Sequence, residues 1–259
     1  MVEKNLAGRL FEKLAFVDTV RRRRRRVVEK VDRLFGSTVA YGPFRGMKLS
    51  KHPRWSYADR ASIMLGLYEK EVLESLQKVP PSYKTFIDLG AADGYYAVGV
   101  LINNMFERSY AFEISEEGQS VIKQTAALNG VSDRIAVGGK ADKDFFKHLP
   151  ADELGRTVVL SDIEGGEFDL FDEAVFGVLK DAIFIIELHD WFFEDGPARL
   201  QKLKDAAKKT HEISAFTTGS RDLSQFKELA TFHDIDRWLI CVEGRKRLMT
   251  WLRLDPLKA

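Results

Sequence analysis

A glycine-containing turn between two acidic residues carries the strongest chemical signal in the sequence. Asp88 ends an apolar run, Gly90 and Gly94 follow, and a helical pattern begins at once. Glycine lets the backbone turn tightly and approach a ligand closely, and a helix N-terminus presents free N–H groups. Glu113 closes the next apolar run, where a carboxylate can accept hydrogen bonds from a ribose diol. These features predict a site for an adenosine-containing cofactor.

The spacing of the two glycines bears on which cofactor fits. Dinucleotide-binding folds typically carry G-x-G-x-x-G, with the pyrophosphate seated on the helix. Here three residues separate Gly90 from Gly94, and one of them, Asp93, would repel a pyrophosphate. S-adenosylmethionine carries a sulfonium and an ammonium group, so it suits an acidic turn better. The sequence favours S-adenosylmethionine and leaves two alternatives: an NAD-dependent oxidoreductase or epimerase, and a turn that only joins a strand to a helix.

A second group of candidate residues ends two later apolar runs. Asp162 and Glu164 follow one run, while Glu187 and His189 are two residues apart at the end of the other and should share a face. Methyl transfer to an alcohol requires an aligned donor and acceptor and removal of the hydroxyl proton. Histidine, with an ordinary pKa near 6.5, suits a base at neutral pH. We expect at least one of these four residues to contact the acceptor, hydrogen bonding to neighbouring loops being the alternative.

A metal ion is a further possibility for the same residues. Two carboxylates and a histidine could hold a divalent ion that polarises a substrate oxygen, and His211 could complete the set or belong to the fold alone. Spacing by itself does not show a metal. The sequence interpretation therefore assigns no metal ligands and favours a metal-free base.

The elements that must position these residues alternate as in βαβ units around a parallel sheet. Predicted strands cover residues 85–89, 109–113, 135–138, 157–162 and 181–188, with later strand-like runs at 211–216, 237–242 and 247–252. The last two runs are predicted to form a hairpin around Gly244. Helices are predicted over residues 5–34 and 59–78, and from Ser115 to Asn129. Ligands of such sheets bind at the carboxyl ends of the strands, which is where the acidic residues lie.

Length and composition restrict the class of protein. The 259 residues suffice for one large α/β domain, with or without a small extension. No apolar run reaches the roughly 18 residues of a membrane-spanning helix, and the N-terminus lacks the compact apolar stretch of a secretory signal. Cys241 is the sole cysteine, which excludes an internal disulfide and a cysteine-based metal cluster. We expect a cytoplasmic protein without a membrane span.

Charge is divided unevenly along the chain. Residues 1–54 hold 15 Lys and Arg against 5 Asp and Glu, whereas the whole chain holds 40 against 39. Six basic residues are consecutive, from Arg21 to Arg26, and would bind phosphates in a salt-dependent way. An RNA-binding methyltransferase or adaptor is therefore an alternative. Because no aromatic residue interleaves with the run to stack bases, we favour a solvated helix or pairing with acidic residues.

Five motifs resemble, in this order, those of FkbM-type S-adenosylmethionine-dependent methyltransferases. They are Gly90-Ala-Ala-Asp-Gly-Tyr-Tyr96, Ala111-Phe-Glu113, Leu128-Asn-Gly130, Asp162-Ile-Glu-Gly-Gly-Glu167 and Glu187-Leu-His189. The similarity covers roughly residues 40–255, and D-x-E-G-x-E is its most discriminating piece. Ala92 departs from the usual D-x-G-x-G-x-G turn. The resemblance implies an α/β, Rossmann-like fold: a seven-stranded, mostly parallel sheet with helices on both faces and a C-terminal antiparallel strand. It also implies methylation of a hydroxyl on a glycan or another small molecule.

The resemblance further implies roles for individual residues. The cofactor-binding set is Asp88, Gly90, Ala91, Gly94, Glu113, Asp142, Asp162 and Glu69. Asp88 and Gly90 would lie beside the methionine part, Glu113 would hold the ribose, and Asp142 would bind the adenine amino group. Asp162 would lie where methyl donor and acceptor meet, and Tyr68 and Glu69 would cover the cofactor from a lead-in helix. The implied organisation is a basic helical arm (1–38), a lead-in segment (39–80) and a methyltransferase domain (81–259).

Two absent patterns bear on the acceptor atom. No N-P-P-Y or D-P-P-Y follows the fourth predicted strand, where many amino-group methyltransferases of nucleic acids carry one. No proline precedes Cys241, which argues against a cytosine-C5 mechanism that needs a thiolate. Oxygen is the favoured acceptor atom. An apolar stripe of Leu and Phe on the first helix leaves a homodimer open.

Overall fold

The computed structural model describes residues 6–55, 57–245 and 247–258, and the side chains from residue 19 onward within those ranges. The apolar stripe predicted for the first helix begins at Leu6 and continues to Val17. The stripe, and the homodimer expectation that depends on it, therefore fall outside the described side chains.

The described residues form nine α-helices and seven strands, with short 3-10 turns between some of them. The helices are α1 (Leu6–Phe35), α2 (Arg60–Met64), α3 (Lys70–Gln77), α4 (Tyr95–Ile102), α5 (Glu116–Leu128), α6 (Glu167–Leu170), α7 (Glu173–Val178), α8 (Gly196–Ala207) and α9 (Asp234–Ile240). The strands are β1 (Thr85–Leu89), β2 (Arg108–Phe112), β3 (Ile135–Gly138), β4 (Thr157–Ser161), β5 (Ile183–Glu187), β6 (His211–Thr217) and β7 (Thr250–Pro256).

All seven strands belong to one sheet with the order β3-β2-β1-β4-β5-β7-β6. Strands β1 to β5 pair in parallel, and β7 runs antiparallel to both β5 and β6. The strand order reverses between β1 and β4, and ligands of open α/β sheets bind at such a reversal. The seven-stranded, mostly parallel, Rossmann-like sheet with its C-terminal antiparallel strand is confirmed.

Alternate side chains of the central strands enter two separate apolar clusters, as the period of a β-strand requires. On β1, Phe86 packs in a cluster with residues of α1, α3 and α4, whereas Ile87 packs in a cluster with residues of α7 and α8. Every residue of β1, β4 and β5 is buried. Parallel strands covered on both faces read as continuous apolar runs, which is why the sequence locates these strands well.

Helix α1 packs against the rest of the fold. Val27, Val28 and Val31 are buried in the same apolar cluster as Phe86 of β1. Removing residues 1–38 would therefore expose part of the core, although the division at residues 38 and 80 remains a proposal.

Three arginines of the basic run pair with acidic residues, as we favoured, and one of these pairs joins Arg25 to Glu29 one helical turn away. Arg23 Nε lies 2.7 Å from Asp236 Oδ1, and Arg24 Nη2 lies 2.9 Å from Asp59 Oδ1. All arginines of the run except Arg24 are exposed. No helix in the described part of the chain combines the length and apolarity that a membrane span requires.

Three predicted elements differ from the structure. Residues 237–242 were expected to form a strand but lie largely in α9, because a short mixed run fits either period and the acidic first turn at Asp234 and Asp236 suits a helix. The hairpin around Gly244 is wrong, since β7 begins only at Thr250 and pairs with β5 and β6. The helix expected over residues 59–78 is two helices, separated by a turn with left-handed backbone at Gly66 and Glu69.

Candidate active site

A cavity of about 720 Å³ opens at the carboxyl ends of β1, β2 and β4. Its volume lies within the range of about 300–1,000 Å³ usual for small-molecule and cofactor sites. Four of the eight predicted cofactor residues line it, namely Gly90, Glu113, Asp142 and Asp162. The other four, Asp88, Ala91, Gly94 and Glu69, do not line it.

Glu113 follows β2 and is buried at the wall of this cavity. Its Oε2 accepts a hydrogen bond from the Ala92 backbone N–H at 2.9 Å, and its Oε1 accepts one from Ser115 N–H at 2.8 Å. Gly118 leaves room for the side chain, because a Cβ there would lie 2.7 Å from Glu113 Cγ. Each carboxylate oxygen can accept a second hydrogen bond, so the side chain still offers both oxygens to a diol.

Three predicted cofactor residues near the glycine turn do not line the cavity and instead make hydrogen bonds that hold the surrounding backbone. Asp88 Oδ2 accepts a hydrogen bond from Ala97 N–H in the first turn of α4 at 3.0 Å, and burial raises the pKa of Asp88 to about 8. Ala91 N–H donates to the Phe112 carbonyl, and Gly94 N–H donates to the Ala91 carbonyl. These residues hold the turn together with their own bonds.

Asp93 positions the lead-in segment over the mouth of the cavity. Its carboxylate oxygens accept hydrogen bonds from the backbone N–H groups of Arg54 at 3.0 Å and Trp55 at 2.8 Å. Trp55 lines the cavity, whereas Asp93 does not. The expectation that Asp93 repels a pyrophosphate therefore has no support in the geometry, since its carboxylate is engaged with the lead-in backbone.

The far end of the cavity has an apolar wall, with Asp142 and two lysines, Lys140 and Lys143, at its edge. Phe112, Ile114 and Ala141 line it, and Ile114 is 73% exposed with its side chain at an otherwise open wall. Asp142 is exposed, and its Oδ1 accepts a hydrogen bond from Asp144 N–H at 2.9 Å. A flat apolar ring system with an exocyclic donor would suit this end.

At the near end, the four predicted catalytic residues meet around one imidazole. His189 Nε2 lies 3.6 Å from Asp162 Oδ1, 3.5 Å from Glu164 Oε2 and 3.7 Å from Glu187 Oε2. Asp162 and Glu164 also line the cavity described above. The carboxyl ends of β4 and β5 are adjacent in the sheet, which explains why residues so distant in sequence come together.

Glu167 orients the imidazole, a role that the sequence interpretation did not assign. It is fully buried, and its Oε1 accepts a hydrogen bond from the His189 backbone N–H at 2.8 Å and lies 3.3 Å from His189 Nδ1. Its Oε2 accepts from Gly165 N–H at 2.8 Å. The final glutamate of the D-x-E-G-x-E motif was a signal that could have identified it. Burial disfavours the charged imidazole, but the hydrogen bond to Glu167 and the charge of Asp162 outweigh it and raise the pKa of His189.

Arg245 balances the buried acids on the other side of the cluster. It donates to Glu69, to Glu187 at 2.7 Å and to Glu243 at 3.0 Å. Burial nevertheless raises the pKa of Glu187 to about 10 and that of Glu69 to about 7. A buried carboxylate without a partner would cost several kcal/mol, so this arginine is essential to the arrangement. No sequence signal pointed to Arg245, because it lies in an irregular segment.

Glu69 belongs to the group of acids that pair with Arg245. Tyr96 Oη donates to Glu69 Oε2 at 2.7 Å, and neighbouring Tyr68 lines the cavity. Of the two lead-in residues expected to cover the cofactor, Tyr68 is therefore the one that reaches the cavity.

Two further candidates lie elsewhere. His211 is buried, with Nε2 3.0 Å from the Ala182 carbonyl oxygen and Nδ1 2.8 Å from Thr210 Oγ1, so it belongs to the fold and not to the cluster. Cys241 caps the C-terminus of α9, and burial raises its pKa to about 11. A thiol with such a pKa forms little thiolate at neutral pH.

Gly90 has a steric requirement that can be tested. Its φ is +87°, and a Cβ there would lie 1.9 Å from the Asp162 carbonyl oxygen. We expect Gly90→Ala to lower the free energy of unfolding by about 3 kcal/mol or more, because left-handed strain and overpacking each cost about 1–3 kcal/mol. Urea unfolding followed by circular dichroism measures the loss.

The matched control for Gly90 is Gly130→Ala. Gly130 has a similar φ of +70°, but no heavy atom lies within 4 Å of an added Cβ. The free energy of unfolding should fall in this variant only by the cost of backbone strain. Equal losses in the two variants would contradict the close approach of β1 and β4.

No family model matches the sequence, and no curated protein matches it. Among solved structures, the chain is similar to the B. subtilis m1A22 tRNA methyltransferase TrmK, with 9% identity over 72% of this chain and 65% of that one, and a TM-score of 0.45. It is also similar to a SAM-dependent O-methyltransferase of Thermotoga maritima, with 11% identity over 74% of this chain and 66% of that one, and a TM-score of 0.46. A third is M. capricolum TrmK in complex with S-adenosyl-homocysteine, with 12% identity over 71% of this chain and 67% of that one, and a TM-score of 0.41.

These similarities are to methyltransferases: two of the structures are TrmK, and the other is named as a SAM-dependent O-methyltransferase. The chain spans about two thirds of the length of each. Because the identities are at most 12% and the TM-scores below 0.5, substrate and residue roles have to be argued from the site itself.

Proposed function

We propose that this protein is an S-adenosylmethionine-dependent methyltransferase that methylates a hydroxyl oxygen on a glycan or another small molecule, in the manner of the FkbM-type enzymes it resembles. One observation carries the proposal. A single cavity extends from a buried acid after β2, Glu113, to acids after β4, Asp162 and Glu164, that face an imidazole. Ribose recognition and acceptor chemistry can thus take place at the two ends of one ligand.

Each part of S-adenosylmethionine can be matched to a different part of the cavity. The apolar wall formed by Phe112 and Ile114 suits the adenine, and Asp142 stands beside it as an acceptor for the amino group. Glu113 offers two oxygens to the ribose hydroxyls. Gly90 leaves the backbone open where the methionine part would lie, and Asp162 provides negative charge near the sulfonium. The methyl group would then point toward the residues around His189.

The residues around His189 supply the acceptor chemistry. In a methyl transfer, the acceptor oxygen forms a bond to the methyl carbon as the carbon–sulfur bond breaks, and S-adenosylhomocysteine leaves with the electron pair. A hydroxyl acceptor must also lose its proton. Asp162, Glu164 and His189 provide groups that can take that proton, and Glu187, whose pKa is raised to about 10, can help to orient the hydroxyl. The raised pKa of Cys241 argues against a thiolate-dependent carbon methylation.

Calorimetric titration with S-adenosylmethionine, S-adenosylhomocysteine and NAD tests the cofactor. We expect micromolar binding of the first two and none of NAD. A panel of glycans and hydroxylated small molecules, followed by S-adenosylhomocysteine release, then tests the acceptor. Binding of NAD alone would contradict the proposal.

The oxidoreductase alternative is disfavoured by the turn after β1. A pyrophosphate needs free N–H groups at the start of the following helix. Here Asp88 occupies the N–H of Ala97, Ala91 donates to the Phe112 carbonyl at the end of β2, and Gly94 donates to Ala91 within the turn. Few donors therefore remain for a dinucleotide.

The RNA-binding alternative rests on the five exposed arginines of the run, and the structure adds one aromatic neighbour. The Arg25 guanidinium lies 6.0 Å from the ring centre of Tyr57, beside a shallow depression that Arg21 also lines. One such pair is less than the series of stacking rings that single-stranded RNA binding usually employs. We therefore keep RNA as the second candidate.

Replacing Arg21, Arg22, Arg25 and Arg26 together by Gln tests this alternative without disturbing the buried valines of α1. We expect the wild-type protein to bind single-stranded RNA no tighter than the non-specific range of about 1–100 µM, and the variant to transfer methyl groups at the wild-type rate. Fluorescence anisotropy at several salt concentrations measures the binding. Tighter RNA binding that the variant loses would favour the RNA alternative.

A further inference from the structure

We infer that Asp162, Glu164 and His189 bind a divalent transition-metal cation, which would hold and polarise the acceptor oxygen. Cation binding stands on the geometry alone, and only its part in methyl transfer rests on the proposed function. The sequence favoured a metal-free base, because spacing could not show how these side chains converge.

The three side chains converge on one point. Each offers one ligand atom, and these atoms lie within 4.8 Å of one another. His189 Nε2 is 3.6 Å from Asp162 Oδ1 and 3.5 Å from Glu164 Oε2, too far for hydrogen bonds. Bonds of about 2.1 Å to a metal place neighbouring ligand atoms about 3.0–3.4 Å apart, according to geometry. The distances from His189 Nε2 to the two acids are close to these spacings, and the two acid oxygens, which lie within 4.8 Å of each other, would draw together around a cation.

Two atoms of the cluster make no hydrogen bond within the described residues, although the Asp162 carboxylate also interacts with the buried carboxyl of Glu187. Asp162 Oδ1 is buried and has no hydrogen-bond partner. His189 is 2% exposed, and its Nε2 makes no hydrogen bond within the described residues. In the described part of the chain, His189 is the sole cationic partner of Asp162 and Glu164. A cation would satisfy both carboxylates and the ring nitrogen at once.

The ring of His189 is held as a metal-ligating histidine usually is. Such a histidine donates its other ring N–H to a carboxylate, which fixes the ring and leaves the second nitrogen for the metal. Glu167, fully buried, lies 3.3 Å from Nδ1 through Oε1 and is itself fixed by the N–H groups of His189 and Gly165. Nε2 consequently points toward Asp162 and Glu164.

The site is open on the side where an acceptor would enter. Glu164 is 74% exposed at its side chain, and both acids line the cofactor cavity. Three protein ligands leave coordination positions for water or substrate. One imidazole with two carboxylates suits Mn²⁺, Fe²⁺, Co²⁺ or Zn²⁺ better than Ca²⁺. An acceptor with two adjacent oxygens, such as a vicinal diol or a hydroxy acid, could occupy two of those positions.

Titration of the chelator-treated full chain with Mn²⁺ tests the inference. Loss of the free Mn²⁺ signal in electron paramagnetic resonance gives the stoichiometry and affinity. We expect one Mn²⁺ per chain, and an affinity at least about tenfold lower in Glu164→Gln and Glu167→Gln, in line with the 10- to 100-fold effects of outer-shell changes. Glu164 is exposed, so its variant should fold normally.

Asp169→Asn is the matched control. Asp169 lines the same cavity and is 84% exposed at its side chain, but it does not belong to the cluster. Its variant should bind Mn²⁺ as the wild type does. Absence of stoichiometric binding, or equal affinities in Glu164→Gln and Asp169→Asn, would overturn the inference.

S-adenosylhomocysteine binding, measured on the same samples, separates this inference from the proposed function. A chain that binds S-adenosylhomocysteine but not Mn²⁺ would refute the cation and leave the methyltransferase. A chain that binds Mn²⁺, and loses it in Glu164→Gln, but never binds S-adenosylhomocysteine would support the cation and refute the methyltransferase.

Discussion

Glu113→Ala is expected to weaken the binding of S-adenosylmethionine and S-adenosylhomocysteine by at least about 100-fold. Two hydrogen bonds from ribose hydroxyls to a carboxylate contribute about 1.5–3 kcal/mol each, and about 1.4 kcal/mol corresponds to a factor of ten. Loss of both therefore amounts to two orders of magnitude or more. Isothermal titration calorimetry measures the change.

Glu113 also holds the backbone of Ala92 and Ser115, so folding has to be measured alongside binding. Glu113→Gln keeps the volume and one acceptor oxygen and should give a smaller loss at a similar melting temperature. Glu116→Ala is the control, because Glu116 is an exposed acid in the first turn of α5 nearby. Wild-type affinity in both Glu113 variants would show that the ribose does not bind there.

His189→Gln is expected to lower kcat by about 100- to 10,000-fold, because the acceptor site loses the imidazole that takes the proton or, with a cation bound, the imidazole that holds the cation. Its effect on S-adenosylhomocysteine affinity should stay within about twofold, because His189 does not line the cofactor cavity. The measurement is S-adenosylhomocysteine release with an acceptor found in the screen, together with calorimetry. The result would separate acceptor chemistry from cofactor binding.

His233→Gln is the control for this second experiment. His233 is exposed at the start of α9, away from the residues around His189. Its variant should turn over at the wild-type rate. Near-normal turnover in His189→Gln would remove His189 from the acceptor site, whereas a parallel loss of cofactor binding would indicate that it supports the whole cavity.

The sequence predicted the central strands well and the C-terminal elements poorly, for a physical reason. Strands β1, β4 and β5 are buried on both faces, so their apolar runs have one interpretation. Helix α9 is short and half exposed, with Trp238 73% exposed, and a run of this kind suits a helix or a strand equally. In the structure this segment is a helix that contacts α1, and the local sequence does not show that contact.

The candidate site also contains residues that could be predicted from the sequence and residues that could not. Glu113, Asp162 and His189 could be located from sequence, because they end strands and the carboxyl ends of parallel strands meet at one edge of a sheet. The directions of Asp88 and Asp93 could not be predicted. Both flank the glycine turn, yet one carboxylate binds α4 and the other binds the lead-in backbone.

By itself, the sequence determined the α/β alternation, the glycine turn and the acids that end the strands, since these follow from local period and residue type. Only the tertiary structure decided that Glu167 fixes His189 from one side, and that Arg245 pairs with Glu187 from the other. It alone also brought Asp162 and Glu164 to within 3.6 Å of a single imidazole nitrogen. Such contacts join residues far apart in the chain, and they depend on strand order and on the direction of each side chain, neither of which local sequence specifies.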